Sequence, residues 1–417
     1  MSVAAADWRP RFFTLWTAQA LSLFSSSLVG FTLVWWLTIT TGSGTALATG
    51  VLVGMLPQML LGPVAGVLVD RHRRSVIMAA ADLGTAAATA LLGWLFVTGA
   101  AQTWHVYVLM AVRSLGFTFH YPAMLASTSL MVPNEHLSRV TGLNQTLNGA
   151  IGIAAPALGA LLVAALPMAG VMAIDVVGAV LAVATLVFIR VPNPPARSQE
   201  QRRASMLSEI REGLRFVTSW RALTIVMSLS IVLNFVLTPG VSLIPLLVTQ
   251  HFGGGAAEMA YFEMVWGIGM IAGGLLLAGW GGFRNKMLTS MVGLLGMAVG
   301  YGLCGAAPAT MLPMALAGYL IGGLANPITN GPMQAVVLAA IPPEMQGRVM
   351  ALLGTISMAV SPLSLAVAGP VSDWFGVRAW LLVGGVCSLA AAAVVVFVPE
   401  VRGMERERVR VESKSRE

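Results

Sequence analysis

Twelve apolar runs, each long enough to cross a bilayer, partition this chain of 417 residues. Six fall at 12–38, 46–69, 75–98, 105–131, 140–165 and 169–189. A polar stretch follows from 190 to 220, and six more runs come at 222–249, 258–280, 287–306, 311–340, 350–372 and 379–398. About 20 consecutive apolar residues suffice for a membrane helix. The predicted fold class is therefore all-α: a polytopic membrane protein with twelve transmembrane helices in two pseudo-symmetric six-helix bundles. The expected boundaries are 1–189 for the first bundle, 190–220 for a linker with an amphipathic helix, 221–399 for the second bundle and 400–417 for a charged tail.

Composition agrees. Only 10% of residues are charged and 57% are hydrophobic, whereas soluble domains carry about 25% charge. The net charge of +7 does not imply nucleic acid, because the charges lie in short clusters between apolar runs and form no basic face. With both tails in the cytoplasm, 22 of the 24 Lys and Arg fall on the cytoplasmic side; only Arg113 and Arg378 lie elsewhere. That asymmetry is the positive-inside pattern, which sets the orientation; the expected location is the cell inner (plasma) membrane. The start, MSVAAADWRPRFF, leads directly into a long apolar run, so no removable signal peptide is expected. Cys304 and Cys387 lie inside apolar runs and have no metal-ligand spacing.

The halves repeat. VPNEHLSRV at 132–140 matches IPPEMQGRV at 341–349, an offset of 209 residues, and each copy follows the fourth span of its own six. A repeat of two six-helix halves with the cargo bound between them is a known transporter plan. In the linker, Met206, Leu207, Ile210, Leu214 and Val217 share one helical face opposite Glu209, Arg211, Glu212 and Arg215, the pattern of an interfacial helix.

An ionisable residue inside a span costs about 2.5–3.5 kcal/mol or more. Asp82, Arg113, Asp175 and Glu263 are in that position. Arg113 cannot lose its charge, so Asp175 or Glu263 is expected to serve as its acid. A carboxylate beside a movable Arg has a proton affinity that depends on conformation, which is what coupling proton movement to a change of shape requires. A fixed ion pair that merely packs helices is the alternative. Pro57, Pro122, Pro156, Pro239, Pro245, Pro327, Pro332 and Pro362 interrupt spans, as membrane helices tolerate. Phe117, Phe119 and Tyr121 are candidates for a cavity that adapts to varied lipophilic cargo. No protease, esterase or nucleotide-binding motif occurs, so no enzymatic activity, metal or cofactor is expected, and transport would draw on a gradient.

GVLVDRHRR, after the second span, resembles the G-x-x-x-D-R-x-G-R-R loop of the major facilitator superfamily. Gly66, Asp70, Arg71 and Arg74 match, with Arg73 where Gly is usual. RSLG at 113–116 resembles the span 4 arginine motif of proton-coupled drug exporters. AAPALGA resembles the antiporter motif GPxxGG, keeping Pro156 and Gly159 and replacing two Gly by Ala155 and Ala160. Segments along the whole chain, among them AADLG, RSLGFTFHYPA, AIDVVGAV and FEMVWGIGMIAGGLLL, are similar to the Mef-type macrolide-efflux branch. The resemblance implies export of macrolide-like or other lipophilic drugs by proton antiport; of the acids inside spans, Glu263 and then Asp175 are the expected proton carriers, with Arg113 and Asp82 as further coupling candidates. Its expected partners are the lipophilic substrate, protons and lipid, and the protein is expected to work as a monomer. An exporter of an endogenous lipophile or siderophore, or an uptake symporter, would use the same architecture. Arg71, Arg73 and Arg74 read as anchors at the water surface. Asp70, with Gly66, Arg71, Arg74, Arg139 and Arg348, is expected to form a cytoplasmic gate.

Overall fold

The computed structural model describes residues 8–189, 220–340 and 343–403. The predicted interfacial helix of the linker and the charged tail beyond residue 403 lie outside the described residues. Among these residues there are twelve long helices and no strand. They are α1 (Trp8–Thr41), α2 (Gly44–Arg71), α3 (Arg74–Val97), α4 (Thr103–Met131), α5 (Asn134–Ala165) and α6 (Met168–Phe188), then α7 (Arg221–Ser242), α8 (Ala256–Trp280), α9 (Lys286–Ala306), α10 (Leu312–Ala340), α11 (Pro343–Phe375) and α12 (Val377–Phe397).

Helix ends follow local chemistry. Ser43 caps α2 by accepting the Ala46 N–H at 3.2 Å, and Asn285 caps α9 by accepting the Met287 N–H at 3.0 Å. At the start of α4, Gln102 N–H donates to His105 Nδ1 at 3.0 Å, half of a reciprocal cap. Gly376, at φ +76°, makes the tight turn between α11 and α12. The span expected at 222–249 is broken. α7 stops at Ser242, and a short turn at Ile244–Leu246 and a π turn at Leu247–His251 complete it. Pro245 sits at the break and has no N–H to continue the ladder, whereas α7 runs through Pro239.

Among the described residues, ten helices are long and apolar enough to span a membrane by themselves. α4 is not among them, because it carries His105, Arg113 and His120 among several Ser and Thr. α11, also outside the ten, has side chains outside the described set from residue 343 to 358.

The chain divides into two compact units, Met1–Arg197 with Gly254–Ala260, and Ser198–Gly253 with Tyr261–Glu417. In the first, α1 packs on α5 and α6, α3 on α4 and α6, and α2 on α4. In the second, α7 packs on α11 and α12, and α9 on α10 and α12. The same neighbours recur at the 209-residue offset. Shifting α4 by 209 yields 312–340, the bounds of α10, and shifting α6 yields 377–397, the bounds of α12. The short loop repeat thus extends to whole helices.

Candidate functional site

The first unit has a polar centre at the meeting of α1, α3, α4 and α6. Asp175 on α6 is about 1% exposed at its side chain and sits 2.6 Å from Arg113 Nη1 on α4, itself about 12% exposed. Both Asp175 oxygens are used. Oδ1 accepts from Ser26 Oγ at 2.9 Å and Ser25 Oγ at 3.2 Å, both on α1. Oδ2 accepts from Arg113 and from Thr89 Oγ1 on α3 at 3.3 Å. Arg113 also donates to the Ser26 carbonyl at 2.5 Å and to Thr89 Oγ1 at 3.3 Å. Gly178, about one turn past Asp175, brings α1 this near. A Cβ at Gly178 would lie 2.5 Å from Ser25 Oγ.

A charge pair removed from water is tolerable only when its remaining hydrogen-bonding capacity is filled. Here four helices fill it. Asp175 is thus the acid of Arg113. Sequence reasoning left open which acid this was and missed Ser25, Ser26 and Thr89.

A second polar group lies nearby. His120 Nε2 on α4 is 2.7 Å from Gln19 Oε1 on α1 and 3.4 Å from Asp82 Oδ1 on α3, and all three residues are buried. Sequence reasoning missed His120 and Gln19. A signal existed: His120 follows Arg113 by seven residues, as Thr89 follows Asp82, and two helical turns return a side chain to the same face. Arg113, Asp82 and His120 all line one cavity of about 300 Å³, with Ser26, Gln58 and Phe117. Of the other aromatic candidates, Tyr121 stacks on Phe117 at 5.2 Å between ring centroids. Phe119 lines a separate, more apolar groove with Leu68 and Leu115.

In the second unit Glu263 is half-buried on α8. It is flanked by Phe262, whose ring centre is 5.4 Å from that of Tyr319, and by Trp266, 4.8 Å from the same ring. At the 209 offset Glu263 corresponds to Gly54, which lines the cavity of the first unit.

Pro156 lies inside α5, and the helix runs through it. Gly159 faces α1, where a Cβ would lie 2.8 Å from the Phe31 ring. Ala155 and Ala160 are fully buried. Gly66, Asp70 and Arg71 are on the last turns of α2 and Arg348 is on α11, with their side chains outside the described residues; Arg139 is exposed on α5. Arg74 departs from the anchor reading. It is buried and donates from Nη1 to the Ala126 carbonyl at 2.5 Å, toward the C-terminal, negative end of α4. It ties α3 to α4, whereas Arg73 remains exposed.

The comparisons with known proteins follow the same lines. The family model described as Major Facilitator Superfamily matches residues 15–364 and 242–414. The chain is 32% identical over 399 residues to Macrolide efflux protein A of Streptococcus pyogenes, covering 96% of this chain and 98% of that protein. It is 33% identical over 314 residues to Macrolide efflux protein A of Enterococcus faecalis, covering 75% and 97%. It is 26% identical over 374 residues to the Multidrug efflux pump Tap of Mycobacterium tuberculosis, covering 84% of each. Among solved structures, a peptide transporter POT variant in complex with sulfate aligns with a TM-score of 0.71 at 13% identity, over 94% of this chain and 95% of that one. A bacterial homologue of the iron transporter ferroportin aligns at 0.68 and 15%, over 94% and 100%. At such identities these two speak to the fold alone. The helix count, the internal offset and the family match agree, and the chain is a multi-span membrane protein that belongs to the Major Facilitator Superfamily, in its Mef-type branch.

Proposed function

We propose that this protein exports macrolide-like or other lipophilic drugs by alternating access, in exchange for protons. The observation that carries the reading is the similarity to Macrolide efflux protein A along nearly the full length of both chains. The cavity of the first bundle supports the proton-coupled part, since Asp82, His120 and Arg113 line it together. In this reading the protein lies in the inner (plasma) membrane with both termini in the cytoplasm. It works as a monomer, without a cofactor and without enzymatic chemistry.

Glu263, Asp175 and Asp82 are the acids available for coupling, with Arg113 setting the local charge. Glu263 leads, because its correspondence with cavity-lining Gly54 supports a position facing cargo. Phe117 is the aromatic contact for cargo, with Tyr121 stacked behind it and Phe119 in the adjoining groove. Pro156 and Gly159 form the bend where α5 meets α1. Gly66, Asp70, Arg71, Arg74, Arg139 and Arg348 make up the cytoplasmic gate. One proton crossing 100 mV releases about 2.3 kcal/mol, and at about 1.4 kcal/mol per decade this sustains roughly a forty-fold gradient of cargo.

The test is a drug panel on expressing cells, with and without a protonophore. Macrolide resistance that disappears when the gradient collapses is the expected outcome; resistance indifferent to collapse removes proton coupling from the mechanism. In everted vesicles Glu263→Gln should abolish drug accumulation while leaving membrane insertion intact.

A further inference from the structure

We propose that Asp82 and His120, with Gln19, form the proton-exchange site of the first bundle, and that Arg113–Asp175 serves as its fixed frame. The proposal rests on the proton-antiport reading above, and it gives different roles to the two acids buried in the first bundle.

The two carboxylates differ in how they are satisfied. Asp175 accepts hydrogen bonds at both oxygens from four donor groups on three other helices. A proton arriving there would displace the Arg113 pairing and leave a buried guanidinium without its counter-charge, a costly state. Asp82 is different. Its Oδ1 faces His120, while its Oδ2 is buried without a hydrogen-bond partner among the described residues, as is the amide nitrogen of Gln19. Protonating Asp82 therefore breaks no pairing with a permanent cation, whereas protonating Asp175 does.

His120 Nε2 lies between two oxygens, Gln19 Oε1 and Asp82 Oδ1, so this nitrogen carries a hydrogen. The pair is stable in two forms that share one net charge state: carboxylic acid beside neutral imidazole, or carboxylate beside imidazolium. Each holds one proton more than ionised Asp82 beside neutral His120. Exchange is the loss and return of that one proton.

The surroundings suit this role. Among the described residues, the charged groups facing the pair are Arg113, two turns away on α4 and matched by Asp175, and Arg74, two turns before Asp82 on α3 and held on the Ala126 carbonyl. α1 and α2 present Gln19 and Gln58, and α6 presents Ala179, its Asp175 being taken up by Arg113. On one side the pair lines the 300 Å³ cavity. On the other, Gln19 lines a small cavity of about 10 Å³ with Trp16, Thr128 and Met131, the last residue of α4, a space that approaches the size needed for one water. The site therefore stands between the cargo cavity and the end of α4.

Two measurements test the assignment. The first is ¹⁵N-histidine NMR of the purified full-length protein across a pH series, without drug. The His120 resonance, identified by its loss in His120→Gln, should titrate, and Asp82→Asn should shift that titration further than Asp175→Asn does. The second is erythromycin exchange in proteoliposomes over the same series. For one proton exchanged, apparent drug affinity should change about tenfold per pH unit, and His120→Gln should flatten that slope without preventing insertion. A His120 signal indifferent to pH and to Asp82→Asn, or an unchanged slope in His120→Gln, overturns the proposal. Wild-type protein that shows the coupled His120–Asp82 titration but moves no erythromycin against protons would overturn the antiport reading and leave the proton site standing.

Discussion

The two bundles share one topology and hold it together by different chemistry. At the 209 offset, Arg113 corresponds to Gly322, Asp175 to Gly384, Thr89 to Ala298, Asp82 to Met291 and His120 to Thr329. Where the first bundle has an ion pair, the second has glycines. Neighbouring side chains take the space: a Cβ at Gly384 would lie 2.9 Å from Leu237 Cδ2, and one at Gly322 would lie 3.3 Å from Trp266 Cζ3. Around the start of α7 the second bundle buries a broad apolar cluster, including Leu223, Met227, Met287, Leu294 and Val395. Without a hydrophobic driving force between helices in lipid, association depends on close packing and on hydrogen bonds. The first bundle leans on directed polar bonds and the second on backbone approach. The fold accepts either, so the polar residues of the first bundle are available for chemistry that the fold itself does not demand.

The largest effect that would break this contrast lies at the ion pair. Arg113→Ala or Asp175→Ala should each cost the first bundle about 3–5 kcal/mol, because a buried charge is left unpaired. Thermal unfolding of the purified variants in detergent measures it. The paired replacement Arg113→Met with Asp175→Leu should recover most of that loss while transport stays abolished. A double variant as unstable as the singles would mean that the bundle needs the charges for more than balance.

Close packing comes next. Gly300 on α9 and Gly318 on α10 cross so closely that a Cβ on either would lie 2.6 Å from the carbonyl oxygen of the other. Gly300→Val should therefore cost about 1–3 kcal/mol through overpacking, seen as a lower unfolding temperature. Gly159→Ala should cost less, about 1 kcal/mol, since its neighbour is the Phe31 ring and a side chain yields more easily than backbone. An equal loss at the two positions would erase the distinction between rigid and yielding contacts. Arg221 and Glu400 pair at 3.6 Å across an exposed surface, so Arg221→Ala should change stability by less than about 1 kcal/mol. A larger shift in the unfolding midpoint would show that the pair anchors α7 to the turn that follows α12.

Much of the fold was legible because membrane helices announce themselves by length. The expected run 169–189 and the observed α6 at 168–188 differ by one residue at each end. α5 and α11 start earlier than the apolar runs, at Asn134 and Pro343, because their first turns are polar and hydropathy does not register them. Part of the site was legible too. The cost of a charge in lipid singles out Arg113 and Asp175 without any structure. It cannot single out Ser25, Ser26 or Thr89, which are common in membrane helices, nor separate His120 from the other four histidines.

The sequence by itself therefore determined the twelve helices, the internal repeat and the few buried charges, since each follows from the cost of polar groups in hydrocarbon. Only the tertiary structure decided which acid Arg113 takes, that His120 lies between Asp82 and Gln19, and that Arg74 is buried. Periodicity says which residues share a helical face. Which face meets which neighbour depends on how helices far apart in sequence cross, and that is decided by packing.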